Sequence, residues 1–583
     1  MLVSRLSRAI LDNICFITAS NPFIGRYIST NVLDFPSFRD VYKSNVRIGR
    51  LSREGKMDLA RKLFDEMPNR DVVSWNAIIT GYWKNGLIEE SKRLFDSMPL
   101  RNVVSWNSMI AGCIECGSID AAYLYFNEMP KRNIASWNAM ISGFIRHEMI
   151  EESLKLFEEM PRRNVISYTA MIDGYAQIGE IEKARKLFES MPIRNEVSWT
   201  VMISAYVEIG KFDEAKELFG QMPYKNVVSV TSMITGYCKE GNMDDARVLF
   251  EQIQHRDDVS YNAMITGYAQ NGRGEEALRL LIDMIRSRLR PDQYTLVSIL
   301  AACSSLASLT EGKQTHALVF KYRFNTNVSV GNALITMYSK CGNILDFESI
   351  FEHICTPNIV SWNTIIAAFA QHGLYEKAVC YFKKIELHGI EPDGITFLSL
   401  LSACGHAGMV KESLYWFESM KTIYKAEPRY EHYACLIDIL GRSGQVEKAY
   451  KMIQEMPFEA DFGVWGALLA GCCFSLNIEL AELAAQEIMK LDPKNSGAYV
   501  MLSNIYAASG LWRKVTKVRL LMKENDVKKQ TAFSWMEIDN MVHHFVGGDA
   551  SHLAIDEVHA VIVQLYSHMK SQLTIDEGYE CFI

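Results

Sequence analysis

Residues 72–82, VVSWNAIITGY, decide the fold, because near copies of this stretch return at a fixed interval. VVSWNSMIAGC follows at 103–113 and IASWNAMISGF at 134–144, so the distance between one copy and the next is constant. Self-similarity at such a period is typical of repeat proteins, in which one small structural unit is used many times. The length of 583 residues therefore indicates a long array of repeats and not several unrelated domains.

Each copy has the pattern of a helical hairpin. Apolar residues at i, i+3, i+4 and i+7 form a stripe along a first helix: Trp75, Ile78, Ile79 and Tyr82. After the helix-breaking pair Asn85-Gly86 the spacing returns in a second helix, at Ser91, Leu94, Phe95 and Met98, and Pro99 ends it. Because neither helix can bury its stripe alone, neighbouring hairpins must stack. The sequence predicts an all-α fold, a right-handed α-solenoid.

The repeats differ in length along the chain. Seven repeats of one equal length are predicted at 41–71, 72–102, 103–133, 134–164, 165–195, 196–226 and 227–257. A mixed series follows, in which most repeats are longer, at 258–292, 293–327, 328–358, 359–393, 394–429 and 430–461. Two weaker repeats are predicted near 462–495 and 496–530, and a tail at 532–583.

Composition limits the classes of partner. The net charge of −8 argues against non-specific attraction to phosphate, so a nucleic-acid role has to rest on base contacts and local basic patches. The 13 cysteines are scattered without a disulfide framework, which favours a reducing compartment. No apolar run has the length that spans a bilayer, so no membrane partner is expected.

Residues 1–40 have the composition of a transit peptide. The segment 1–30 contains Arg5, Arg8 and Arg26, several Ser and Thr, and Asp12 as its one acid. We expect import into a mitochondrion, with the chloroplast as the alternative. A frayed N-terminus is the other interpretation of this segment.

The junctions between repeats carry a family resemblance. LFDEMPNRD at 63–71, LFDSMPLRN at 94–102, LFESMPIRN at 187–195 and LFGQMPYKN at 218–226 are each followed by SWN, SWT or a related triplet. These motifs resemble the pentatricopeptide repeat family and not the tetratricopeptide pattern, over roughly residues 41–530. The mixed lengths after 258 resemble the plant subclass that combines short, standard and long repeats.

Two positions of each repeat hold very few residue types. The first, just after the core aromatic, has Asn45, Asn76, Asn107, Asn138, Thr169, Thr200, Thr231, Asn262, Asn332 and Asn363. The second, at the end of the repeat, has Asp71, Asn102, Asn133, Asn164, Asn195, Asn226, Asp257, Asp292, Asn358 and Asp393. Helix capping and turn formation also favour these residue types, but capping alone would admit Ser and Gly as well.

The resemblance implies that these two positions, called the reading pair below, contact one RNA base per repeat. Amides, hydroxyls and carboxylates offer different donors and acceptors to the edge of a base, and such repeats are described as a one-base code. In the family, the pair Asn–Asp is associated with U, the pair Asn–Asn with C or U, the pair Thr–Asn with A, and the pair Thr–Asp with G. Repeats 41–292 then imply 5′-U-Y-Y-Y-A-A-G-U, where Y is a pyrimidine. Val297, Leu398 and Ala434 leave three later repeats unassigned or weak.

A third position is implied to clamp each base between neighbouring repeats: Val73, Val104, Ala135, Ile166, Val197, Val228, Val259 and Val360. A half-buried apolar position is the alternative. Basic residues precede the end of many repeats, at Arg70, Arg101, Arg132, Arg163, Arg194, Lys225 and Arg256. They are expected either to meet phosphates or to be solvated turn charges.

The C-terminal region resembles that of plant RNA-editing factors. EHYACLIDILGRSGQVEKA at 431–449 and VWGALLAGC at 464–472 resemble the last short repeat and the E region, which we place at 462–531. SWMEIDNMVHHFVGGDASH at 534–552 alternates apolar residues about Asp539-Asn540, which predicts a β-hairpin in an extended E tail. The cytidine-deaminase-like domain of longer relatives needs H-x-E and P-C-x-x-C, and neither motif occurs. Cys113 and Cys116 have C-x-x-C spacing without a second ligand pair, so packing is expected and not metal binding.

These features predict a non-enzymatic, cofactor-free protein that binds single-stranded organellar RNA. The leading hypothesis is a site-recognition factor for C-to-U editing, which recruits a deaminase-bearing pentatricopeptide repeat protein or editing cofactors through the E region and its extension. One alternative is a factor for RNA stability, splicing or translation. Another, of a different class, is a protein-binding scaffold like tetratricopeptide arrays.

Overall fold

The computed structural model describes residues 36–527, 533–538, 541–546 and 555–573. The transit-peptide prediction therefore concerns residues that lie almost wholly outside the described part. The chain divides into two compact units, an N-terminal part, Met1–Gly267, and a C-terminal part, Tyr268–Ile583.

Over the described residues the structure is helical apart from one β-hairpin. In the N-terminal part, the first helix of each hairpin is α1 Pro36–Arg53, α3 Val72–Lys84, α5 Val103–Glu115, α7 Ile134–Arg146, α9 Val165–Gln177, α11 Glu196–Ile209 or α13 Val227–Lys239. Helix α15, Asp258–Gln270, lies at the end of this part. Their second helices are α2 Met57–Glu66, α4 Ile88–Ser97, α6 Ile119–Glu128, α8 Ile150–Glu159, α10 Ile181–Glu189, α12 Phe212–Gln221 and α14 Met243–Gln252.

The C-terminal part continues the same alternation. It contains α16 Gly274–Arg286, α17 Gln293–Ser305, α18 Leu309–Lys321, α19 Val328–Lys340, α20 Ile344–Glu352, α21 Ile359–Gln371, α22 Tyr375–Leu387 and α23 Gly394–Ala407. It goes on with α24 Val410–Thr422, α25 Tyr430–Arg442, α26 Val446–Gln454, α27 Phe462–Ser475, α28 Ile478–Leu491, α29 Ser496–Ala508, α30 Trp512–Glu524 and, after the hairpin, α31 Ile555–Leu573.

Local sequence signals set the helix ends. Helix α3 begins after Asp71, whose side chain accepts a hydrogen bond from the Ser74 amide, and the chain turns at Gly86 with a φ of +78°. Helix α4 ends at Ser97, because Met98 before Pro99 is extended. From α3 onward, the first helix of every predicted repeat begins at the residue with which that repeat begins. Helix α1 differs, since it starts at Pro36, before the predicted repeat at 41.

Stacking of hairpins buries the apolar stripes. Within each part, first helices pack against the first helices of the next repeats and against their own second helices. The second helix also reaches the next repeat: the rings of Phe95 and Trp106 meet edge to face with centroids 5.0 Å apart, and Phe126 and Trp137 repeat this contact at 5.0 Å. The predicted all-α solenoid of stacked helical hairpins is confirmed.

The C-terminal extension contains the predicted β-hairpin. Strands β1 (Phe533–Ile538) and β2 (Met541–Val546) are antiparallel, and Ile538 lies opposite Met541 in the register. The predicted β-hairpin is thus present, and Asp539 and Asn540, about which the pattern alternates, lie outside the described residues.

Two further expectations concern the core and the membrane. Cys113 is fully buried in α5, and burial raises the pKa of its thiol to about 11, so it packs as a neutral side chain. Among the helices of the described residues, none is both long and apolar enough to cross a bilayer.

Candidate nucleic-acid interface

The residue that ends each repeat is the N-cap of the next first helix. Asp71 Oδ1 accepts hydrogen bonds from the Ser74 amide and the Ser74 hydroxyl, both at 2.7 Å. The other members of this column also accept from the amide of the third helical residue: Asn102, Asn133, Asn164, Asn195, Asn226, Asp257, Asp292, Asn358 and Asp393. Capping therefore explains more of the restriction to Asp and Asn than the sequence indicates.

Capping does not explain the choice between Asp and Asn. The cap uses Oδ1, which both side chains possess. The second terminal atom differs, because it is an acceptor oxygen in Asp and a donor nitrogen in Asn. That atom is the part of the side chain that a ligand can distinguish.

The structure brings the two members of the reading pair together, although they lie 26 to 30 residues apart. The side-chain nitrogen of Asn363 donates to Asp393 Oδ1 at 2.9 Å, and that of Asn45 donates to Asp71 Oδ1 at 3.2 Å. Equivalent hydrogen bonds join Asn107 to Asn133 at 3.4 Å and Asn138 to Asn164 at 3.3 Å, and the Thr200 hydroxyl lies 3.4 Å from Asn226 Oδ1. The remaining first members hold the same place in their helices: Asn76 in α3, Thr169 in α9, Thr231 in α13, Asn262 in α15 and Asn332 in α19.

Five asparagines of the first column leave an acceptor without a protein partner. The buried Oδ1 atoms in question belong to Asn45, Asn76, Asn107, Asn138 and Asn332. A buried polar atom without a hydrogen bond costs about 1–3 kcal/mol and calls for an explanation. A ligand that donates a hydrogen bond at this place would provide one.

The threonines of the same column present a different group. The hydroxyls of Thr169, Thr200 and Thr231 donate to the carbonyl oxygen four residues earlier, at 2.7, 2.7 and 2.8 Å. With the proton used inside the helix, the hydroxyl oxygen remains as an acceptor. The two residue types of this column thus differ in geometry and in chemistry.

The third column is apolar, and its members range from exposed to half-buried. Val73 is 59% exposed and Val360 55%, and Val104 and Val197 are also exposed. Four others are half-buried: Ala135, Ile166, Val228 and Val259. Each lies three residues before its reader, on the same side of the helix. Exposure of this degree is not needed for packing and fits contact with a ligand.

A groove in the C-terminal part contains all three positions of one repeat. This cavity of about 290 Å³ is lined by Val360, Asn363 and Asp393, and Ile395 of the next repeat forms its other side. Ile395 is 61% exposed and was not identified as a site residue from the sequence. The signal was present, since Ile395 holds the clamp position of repeat 394–429, but that repeat has Leu398 in place of a polar reader.

Asp71 is an ionised member of the reading pairs at neutral pH. Partial burial of the Asp71 carboxyl acts to raise its pKa, but hydrogen bonds from Ser74 and Asn45 outweigh that effect. The pKa of Asp71 therefore lies below its ordinary value, and the group is an ionised acceptor.

The basic column has a structural role that neither expected alternative describes. Arg101 folds back over the Phe95 ring at 4.8 Å, and its guanidinium donates to the carbonyls of Phe95 and Asp96 at 3.0 and 2.8 Å. Arg70, Arg132, Arg163, Arg194 and Arg256 repeat these contacts, and Lys225 places its ammonium over Phe219. These residues close the C-terminal end of the second helix. The residues of this column remain exposed at the turns, so phosphate contact and a solvated turn charge both stay predictions.

Family models match most of the array. A model described as PPR repeat matches 45–72, 73–103, 135–165, 166–195, 197–227, 395–423 and 431–459, and another of the same description matches 225–254. A model described as PPR repeat family matches 101–136, 256–305 and 357–406, and one described as E motif matches 475–537.

Curated relatives come from Arabidopsis thaliana. The chain is 40% identical over 281 residues to pentatricopeptide repeat-containing protein At1g20230, covering 48% of the chain and 37% of the relative. It is 39% identical to At3g57430, named chloroplastic, and to At3g02330, named mitochondrial, covering 50–51% of the chain and 33% of each relative. The chain thus spans about a third of the length of these relatives.

Among solved structures, the crystal structure of the pentatricopeptide repeat protein PPR10 in complex with an 18-nt psaJ RNA element is similar. It has 18% sequence identity and a TM-score of 0.49, covering 84% of this chain and 80% of that one.

Proposed function

The chain belongs to the pentatricopeptide repeat family, and on that premise we propose that it binds single-stranded RNA with one base at each reading pair. Two polar columns that are distant in the sequence meet beside exposed apolar residues. Buried Asn oxygens of the first column have no protein partner. This arrangement is the observation that carries the proposal. An unstacked base supplies what this arrangement leaves open. Its faces are apolar and its Watson–Crick edge carries donors and acceptors.

The affinity follows from summing many modest contacts. A well-formed contact to a base edge is worth about 1–3 kcal/mol of discrimination. About ten such sites give specific binding without a positive field, which suits a chain of net charge −8. The implied target is 5′-U-Y-Y-Y-A-A-G-U, read by the pairs from Asn45–Asp71 to Asn262–Asp292.

The finer proposal is site recognition for C-to-U editing of an organellar transcript. The match to the E motif over 475–537 supports it, as do the paired strands β1 and β2 at its C-terminal end. In this proposal the array holds the RNA, and the E region with its extension recruits a deaminase in trans. Relatives named mitochondrial and chloroplastic support an organellar location, for which we propose the mitochondrion with the chloroplast as the alternative.

The binding proposal is tested with purified protein and fluorescent RNA. We expect tight binding of an RNA that contains UUUUAAGU and weak binding of a permuted sequence. The double variant T169N/T200N should shift the preference at the fifth and sixth nucleotides from A to pyrimidine. Equal binding of both RNAs by the wild type would disprove base reading and favour a protein-binding scaffold.

The editing proposal is tested in the plant. Organellar RNA from plants with and without the protein is sequenced deeply, and every C-to-U site is scored. Loss of conversion at one or a few sites, each preceded by the implied target, is the expected result. Intact editing together with altered ends, splicing or abundance of one transcript would replace editing with the alternative RNA role.

A further inference from the structure

The reading pair of repeat 359–393 is held by a third side chain. Thr396, in α23, is fully buried, and its hydroxyl donates to Asn363 Oδ1 at 2.6 Å. The same hydroxyl lies 3.0 Å from Asp393 Oδ1 and accepts a hydrogen bond from the Asp393 amide at 3.1 Å. The shortest of these contacts is therefore the one that joins Thr396 to the reader.

These contacts fix the orientation of the Asn363 amide. Its nitrogen donates to Asp393 Oδ1 at 2.9 Å, while its oxygen accepts from Thr396. A rotation that exchanges the two atoms would place the amide oxygen against the Asp393 carboxylate and would take the acceptor away from the Thr396 hydroxyl. The nitrogen keeps a second N–H group that takes part in neither bond.

Five other asparagines of the first column lack this support. Their Oδ1 atoms have no protein partner, and they are Asn45, Asn76, Asn107, Asn138 and Asn332. Serine holds the position of Thr396 next to each of them, at Ser74, Ser105, Ser136, Ser167 and Ser361. These serine hydroxyls donate to the N-cap residue of their own helix and not to the reader. The methyl group of threonine restricts χ1, so its hydroxyl is held in fewer directions than that of serine.

The fixed amide borders the groove of the C-terminal part. Asn363 and Asp393 line its cavity of about 290 Å³, together with the apolar side chains of Val360 and Ile395. A base held between these apolar side chains meets an amide that cannot exchange its donor for its acceptor. A carbonyl oxygen on the base edge matches the remaining N–H group, whereas an exocyclic amine does not.

We propose that Thr396 is a positioning residue, which keeps the amide nitrogen of Asn363 toward a base carbonyl and makes repeat 359–393 select U over C. Uracil has a carbonyl where cytosine has an amine, so with cytosine two donors would face one another. A reader beside serine can turn its amide and accept from that amine, which fits the C or U that the family pattern implies for the pair Asn–Asn. This inference rests on the proposed RNA function and deepens it.

The test compares the affinities of the full-length protein for UUUUAAGUAUU and for the same RNA with C as its last nucleotide. That eleventh nucleotide faces repeat 359–393 when one base is bound per repeat. For the wild type we expect U to be preferred to C about tenfold. T396V removes the hydroxyl and should bring the ratio of the two affinities close to one. T396S should lower the ratio as well, because serine at this position donates to the N-cap.

Ser361→Thr is the matched variant in the preceding repeat. It places a threonine beside Asn332, whose Oδ1 has no protein partner. We expect a preference for U over C of roughly severalfold to appear at the tenth nucleotide, with no change at the eleventh. An unchanged ratio at the tenth nucleotide in folded S361T would contradict the inference.

Thermal melts separate positioning from a role in the fold alone. T396V also removes the acceptor of the Asp393 amide, so a lower unfolding temperature is expected, whereas T396S keeps that acceptor. If both variants still distinguish the target from a permuted RNA but keep the wild-type ratio of U to C, this inference falls alone. If the wild type does not distinguish the target from a permuted RNA, the proposed function falls with it.

Discussion

The amide oxygen of Asn76 is buried and has no protein donor, so this residue is expected to matter for binding and not for folding. Asn76→Ala removes that atom and introduces a better helix former. We expect the midpoint of thermal unfolding to stay the same or rise slightly, while affinity for the target RNA falls by about tenfold. Circular dichroism melts and fluorescence anisotropy measure the two effects.

Ser105→Ala is the matched control for Asn76→Ala. It removes the hydroxyl of the capping box at Asn102, and we expect it to lower stability by about 1 kcal/mol. A clear loss of stability in the Asn76 variant, with RNA affinity intact, would instead assign that amide to the fold.

Asp71 gives a pH-dependent contribution with a defined sign. Hydrogen bonds from Ser74 and Asn45 outweigh the opposing effect of burial and lower its pKa, so ionised Asp71 stabilises the folded state above the unfolded pKa of about 3.9. The contribution is lost as the pH falls through the lower pKa of the folded state. Asp71→Asn keeps the capping oxygen and cannot titrate.

The expected result is that the unfolding temperature of the wild type, relative to that of D71N, is highest near neutral pH and declines below about pH 4. Parallel melts of the two proteins from neutral pH to about pH 3 measure this difference. A constant difference over that range would mean that the caps and the amide of Asn45 do not favour the ionised form.

At the scale of the helix, an arginine that closes a second helix can serve the fold or bind phosphate, and substitution of Arg101 distinguishes these two roles. Arg101→Ala loses two hydrogen bonds to carbonyls and the contact with the Phe95 ring. We expect a loss of about 1–3 kcal/mol in stability. Arg101→Lys should have an intermediate stability. Lys225 shows that an ammonium can lie over the equivalent ring, but lysine lacks the planar guanidinium that donates two hydrogen bonds at once.

RNA titrations at several salt concentrations decide between the two roles. Because the guanidinium is engaged inside its own repeat, the slope of log K against log salt should be the same for the wild type and the Arg101 variants. A slope reduced by about one, with stability unchanged, would restore the phosphate contact.

The elements themselves were predictable because their signals are local and repeated. Asn102 before Val103 and Gly117 after α5 mark a helix start and a turn in the sequence itself, and the copies confirm one another. The fold-back of Arg101 was not predictable, since no spacing rule shows that a guanidinium reaches the carbonyl of Phe95. The start of α1 at Pro36 was not predictable either, because there is no preceding copy of the repeat with which this boundary can be compared.

At the scale of the whole molecule, the array consists of nearly interchangeable contacts between neighbours. The rings of Phe95 and Trp106 lie 5.0 Å apart at 78°, and those of Phe126 and Trp137 lie 5.0 Å apart at 81°. Gly112 makes room for Trp83, where an added Cβ would lie 2.7 Å from the ring, and Gly143 holds the same position one repeat later. A junction between repeats 72–102 and 134–164 can therefore form without a clash at either place.

Deletion of residues 103–133 tests whether fold and specificity are both modular. Since each repeat packs only against its neighbours, the shortened protein should fold with its helix content reduced in proportion and with little change in unfolding temperature. It should lose one pyrimidine from its target and prefer 5′-U-Y-Y-A-A-G-U over the eight-nucleotide sequence. Circular dichroism and competition between the two RNAs measure both outcomes, and deletion of 134–164 should give the same target. A shortened protein that folds but still prefers the longer RNA would show that the bases are not read one per repeat.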